Sequence, residues 1–77
     1  MTKLVEAIAK SLVDNPEAVN VTETEGSEGP VIELRVAPDD MGKVIGKQGR
    51  IAKALRTVVK AAAVRENKKV TVEIIKE

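Results

Sequence analysis

Apolar positions recur along the chain with two alternating periods. Leu4, Ile8 and Leu12 lie at i, i+4 and i+8, with Val5 and Ala9 beside them, so residues 3–13 predict an amphipathic helix. Thr2 is its expected N-cap. Asn15-Pro16 is its expected stop, because the residue before a proline is pushed out of the helical region. Residues 18–24 alternate instead: Val19 and Val21 face one way, Asn20 and Thr22 the other, as in a half-buried strand. The Gly- and Pro-rich stretch 25–30 predicts a turn. Residues 31–37 alternate again, with Ile32, Leu34 and Val36 opposite Glu33 and Arg35, which makes the pair a hairpin.

Past Pro38 the period returns to that of a helix. Asp39 or Asp40 is expected to cap a short helix running to about Ile45. Gly46-Lys47-Gln48-Gly49 interrupts it, and a longer helix follows over 50–65. Its expected apolar face is Ile51, Leu55, Val58, Val59 and Ala62, and its basic face is Lys53, Arg56 and Lys60. A connector at 66–68 leads to a last alternating run, 69–75, with Val70, Val72 and Ile74 on one side. The order α-β-β-α-α-β predicts an α+β two-layer fold, a three-stranded sheet with helices on one face, forming a single domain over 1–77.

Composition narrows the chemistry. The chain holds no Phe, Tyr or Trp, so its core is aliphatic and it has no platform for stacking bases on a sheet. It holds no Cys or His, which excludes thiolate and imidazole metal sites, disulfides and Cys or His catalysis. Ser11 and Ser27 have no basic or acidic partners at useful spacing, and Asp39 and Asp40 read as caps, so no enzyme and no cofactor is expected. No apolar run is long enough for a membrane span, and no signal peptide is visible, which sets the expectation of a cytoplasmic protein.

The net charge of +1 conceals a strong asymmetry. Residues 1–40 carry three bases against nine acids, whereas 41–77 carry ten bases against three acids. Between Met41 and Arg65 there are seven bases and no acid. Such a segment suits a partner of negative charge, most simply a nucleic acid, or else a solvated basic face.

Inside that segment stands Lys43-Val44-Ile45-Gly46-Lys47-Gln48-Gly49-Arg50-Ile51. A phosphate-binding P-loop is excluded: only three residues separate Gly42 from Gly46, and Gln48 stands where Ser or Thr would hold magnesium. A dinucleotide fingerprint is excluded by the spacing of Gly42, Gly46 and Gly49. What remains is G-x-x-G between two helices. Glycines at 46 and 49 let a phosphate chain approach, and the start of the following helix turns free N–H groups and a positive dipole end toward it. Lys47 and Arg50 add charge there, and Lys43, Lys53 and Arg56 extend it. Val44, Ile45 and Ile51 are the expected walls of an aliphatic base groove, and Gln48 either bonds a base or phosphate or faces water.

This motif in this element order resembles the KH domain of type II, whose GXXG loop clamps about four single-stranded nucleotides. The resemblance covers nearly the whole chain and is similar to the small stand-alone bacterial proteins of the KhpA family. It implies binding of single-stranded RNA, self-association as a homodimer, and pairing with a larger multidomain KH protein of the KhpB, Jag or EloR type. It further implies post-transcriptional or RNA-chaperone roles linked to cell length and peptidoglycan homeostasis. The competing expectation is a dimerisation or scaffold module with little RNA affinity, because Val58, Ala61, Ala62 and Val64 cover more of the third helix than one sheet face needs.

Overall fold

The computed structural model describes residues 1–75; Lys76 and Glu77, the end of the expected 1–77 domain, lie outside the described residues. Helix α1 spans Thr2–Leu12, strand β1 Asn20–Gly26, β2 Gly29–Arg35, helix α2 Met41–Ile45, α3 Arg50–Arg65 and β3 Thr71–Ile74. Single 3-10 turns lie at Pro16–Ala18, Pro38–Asp40 and Lys47–Gly49. The sheet order is β1-β2-β3, antiparallel between β1 and β2 and parallel between β2 and β3. A parallel pair needs a crossover, and α2 with α3 is that crossover. The junction between these two helices is the glycine-bearing segment.

Register follows the alternation. Val21 pairs with Leu34, Ile32 with Val72, and Leu34 with Ile74, so the apolar side chains share one face. Against that face pack Val5 and Ala9 of α1, Val44 of α2, and Leu55 and Val59 of α3. Ile32 and Leu34 on the central strand are fully buried. Each such side chain contributes about 1.5–3 kcal/mol relative to an exposed position, enough in sum to fold a core without a single aromatic ring.

Several local expectations are corrected. Thr2 is the first helical residue, not the cap; Met1 holds the N-cap position, and no side chain caps α1. The hairpin closes through Ser27-Glu28 alone, since Gly26 pairs with Gly29 and the strands consume the rest of the expected turn. The buried face of α3 is Ala52, Leu55, Val59 and Ala63, rotated away from Val58 and Ala62. Ala52 and Ala63 take buried positions, and Val58 is left 46% exposed. Helix α3 ends with Asn67 at φ 57, where Lys68 N–H donates to Ala63 O at 2.9 Å and Asn67 N–H to Val64 O at 3.1 Å. This Schellman arrangement turns the chain sharply into β3.

Candidate nucleic-acid interface

The segment joining α2 to α3 is built from conformations that most side chains avoid. Gly46 lies at φ 77, ψ 174, a region open essentially to glycine. Gln48 lies at φ 58, ψ 25 and Gly49 at φ 75, ψ 13, two left-handed residues in succession. Together they reverse the chain within one turn. Gly49 sits at the N-cap of α3, and no side chain caps that helix. The positive end of a 16-residue helix therefore faces the loop.

Lys47, Gln48 and Arg50 are exposed, as is Lys53 one turn into α3. Among the described residues no carboxylate pairs with Lys47, Arg50 or Lys53. These cations are uncompensated, and their charges add to that of the helix end. Ile45 and Ile51 are half-buried beside them, each with part of its surface open. Val44 is fully buried in the core and offers no surface to a ligand in this conformation. Arg56 is directed to the edge of the sheet, its Nε donating to the Val72 carbonyl at 3.3 Å. That bond joins α3 to the edge strand β3.

Lys43 is placed differently from its fellow cations. Its ammonium bonds the Asp14 carboxylate and lies 3.5 Å from Asp40 Oδ1. The Asp14 hydrogen bond, opposed in part by desolvation and helped by the Asp40 charge, raises its pKa above the ordinary lysine value. Lys43 thus ties the end of α1 to the start of α2.

Asp40 is the partner that the sequence pattern did not disclose. It stands at the N-cap of α2 but makes no cap bond with its side chain. Instead Oδ1 accepts from the Asp14 N–H at 3.2 Å and Oδ2 from the Asn15 N–H at 3.0 Å. It is 2% exposed. Burial pushes its carboxyl pKa up, but the two backbone donors and Lys43 outweigh that and hold it below the usual aspartate range. Two N–H groups left over where α1 stops are satisfied from a residue 26 and 25 positions further along the chain. No spacing rule connects such positions.

Among the described residues no cluster of carboxylates could hold a metal ion, and no helix is long and apolar enough to cross a membrane.

A mixed three-stranded sheet backed by helices, with a helix–GXXG–helix crossover between its parallel strands, defines a KH domain of type II. The family model of the KhpA/KhpB KH domain matches residues 2–74, and the chain belongs to that family. It is 72% identical over 75 residues to the RNA-binding protein KhpA of Clostridium perfringens, covering 97% of this chain and 100% of the relative. The same coverage holds for the RNA-binding protein KhpA of Clostridium acetobutylicum, at 68% identity. The RNA-binding protein KhpA of Aquifex aeolicus is 57% identical over 72 residues, 94% of this chain and 91% of the relative.

Proposed function

We propose that this chain binds single-stranded RNA without catalysing a reaction on it, and that the loop Gly46–Gly49 is the clamp. The observation that carries the reading is the set of exposed, unpaired cations Lys47 and Arg50 around a left-handed turn at the uncapped N-terminus of α3. Lys47 and Arg50 meet phosphates, and the helix dipole reinforces them. Gln48, held outward, bonds a base edge or the sugar–phosphate chain. Ile45 and Ile51 supply the aliphatic surface against which bases lie. Lys53 attracts the strand electrostatically, and Arg56 stands at the far wall with β3. The relatives named as RNA-binding proteins support the ligand class.

One site of this size binds weakly, and a second copy or a tethered partner compensates by avidity. The reading therefore includes a homodimer and a heteromer with a larger multidomain KH protein, in a cytoplasmic, post-transcriptional role. The single domain is taken to run over 1–77. A second reading, a scaffold that dimerises and barely touches RNA, draws on the exposed Val58 of α3.

The deciding experiment is a titration of end-labelled single-stranded RNA with wild type and with Lys47→Glu/Gln48→Asp, at two salt concentrations and against a DNA competitor. Loss of binding in the variant, with wild-type binding weakened by salt, is the expected result. Equal binding by both proteins would remove the loop from the mechanism. No binding by either would favour the scaffold.

A further inference from the structure

The two edges of the sheet are not equivalent. The order β1-β2-β3 leaves one side of β1 and one side of β3 without a neighbouring strand. On β3, four residues long, Arg56 Nε donates to the Val72 carbonyl at 3.3 Å and closes part of that edge. On β1, seven residues long, no side chain or loop does so among the described residues. The bonding of β2 shows which residues of β1 face out. Leu34 O accepts from Ile75 N–H at 2.8 Å, so the backbone groups of Leu34 turn toward β3. Its partner across the hairpin, Val21, therefore belongs to a pair without mutual hydrogen bonds. By alternation the N–H and C=O of Val21, Glu23 and Glu25 all point away from β2. They stand in one row, uninterrupted by proline or bulge.

The side chains of those three residues select the occupant. They lie on one side of the strand, Val21 half-buried and Glu23 and Glu25 exposed. Among the described residues no cation pairs with either carboxylate. Antiparallel self-pairing centred on the strand sets Glu23 opposite its own copy, which disfavours a second copy of the chain. The same charges repel a nucleic acid. We propose that the free edge of β1 is a docking site for a basic, extended peptide of a partner protein. The peptide adds a fourth strand through main-chain bonds and sets cationic side chains opposite Glu23 and Glu25. In the antiparallel sense it reads basic-x-basic-x-apolar, its apolar residue covering Val21. This contact is independent of the loop reading above.

The test uses two heptapeptides with threonine at the odd positions. One carries lysine, lysine and valine at positions two, four and six; the other carries glutamate in place of both lysines. Each is titrated into isotope-labelled wild type and Glu23→Lys/Glu25→Lys at low and high salt, with amide signals followed by NMR. The lysine peptide is expected to shift the amide signals of Val21, Glu23 and Glu25 and to slow their exchange with solvent. It is expected to bind wild type about tenfold more tightly than the glutamate peptide, because two cross-strand pairs change from attraction to repulsion. That preference should shrink in high salt and reverse in the variant. The variant alters exposed side chains only, so its thermal midpoint should match that of wild type; the comparison of the two peptides on wild type decides the matter even if it does not. Equal affinity for the two peptides would overturn the proposal. So would shifts confined to the loop 46–49, or none at the three amides at millimolar lysine peptide. Amides of Val21, Glu23 and Glu25 already protected from exchange in concentrated, peptide-free protein would assign the edge to a second copy and overturn it as well.

Discussion

The side chain of Ile51 fills the space that a Cβ on Gly46 would need. Such an atom would lie 2.5 Å from Ile51 Cγ1 and 2.8 Å from its Cβ and Cδ1. Glycine at 46 is therefore required from inside the protein before any ligand arrives, whereas a Cβ at Gly49 would meet nothing within 4 Å. The two glycines of the motif differ in kind. Gly46→Ala is expected to cost about 2–5 kcal/mol, from overpacking against Ile51 added to a backbone region closed to alanine. Gly49→Ala is expected to cost only about 1–2 kcal/mol, from its left-handed φ alone. Denaturant unfolding of both variants checks this, and equal losses would refute the distinction. Replacements at Gly46 thus confound folding with binding, and loop chemistry is better probed at Lys47 and Gln48.

Asp40 sets an acid limit on stability. Its pKa is lower in the folded chain than in the unfolded one, so the unfolded state binds the proton more readily. Its contribution is complete above the ordinary aspartate value near 4 and is lost as pH falls through the folded value. Asp40→Asn removes one of the two acceptors and turns an N–H group toward the donors of Asp14 and Asn15. It is expected to melt below wild type at neutral pH. The gap between the two proteins should close as pH is taken below about 4. A gap that persists unchanged to pH 2.5 would mean that the carboxylate charge at 40 does not matter.

Lys43 and Lys47 stand four residues apart and should behave oppositely in salt. Lys47 is unpaired; Lys43 is held by Asp14 and Asp40. A cation that neutralises a phosphate releases a counterion, and its removal reduces the log–log salt slope by about 0.7 on a single strand. Lys47→Gln is expected to weaken RNA binding and to reduce the slope by about that amount. Lys43→Gln is expected to weaken binding less and to leave the slope unchanged, because it loosens α2 without removing a phosphate contact. Equal slope changes in the two variants would place both lysines on the RNA.

The alternation of Ile32, Leu34 and Val36 and the start of α3 at Arg50 were legible because each depends on a local period or on one glycine. So was the glycine loop, whose spacing and basic flanks lie in one contiguous stretch. The role of Asp40 was not legible. Its bonds reach Asp14 and Asn15 across β1 and β2, and an aspartate after a proline reads locally as a cap. Nor was the pairing of Lys43, which in sequence is one more base in a basic run. The rotation of α3 escaped because alanine counts weakly in any apolar pattern, yet Ala52 and Ala63 are among its buried residues. Val64, which sequence groups with Val58, opens onto the β3 side beside Arg56 and Lys60. It is separate from the groove lined by Val58, Ala61 and Ala62.

That groove carries the last prediction. Val58, 46% exposed, lines it together with Arg65 and Glu66. A two-fold axis across such a strip would bury Val58 on its own copy, the self-matching contact of an isologous dimer. Val58→Glu is expected to leave the fold within about 0.5 kcal/mol of wild type, since the side chain is half in water already. It should convert a dimer to a monomer in sedimentation. Its RNA consequences depend on length. On a strand of about four nucleotides, which fills one loop, affinity should not change. On a strand long enough for both loops of a dimer, apparent affinity should fall by about tenfold or more as avidity is lost. A wild type that sediments as a monomer at tens of micromolar, or a variant that weakens short and long strands alike, would disconnect this face from RNA binding.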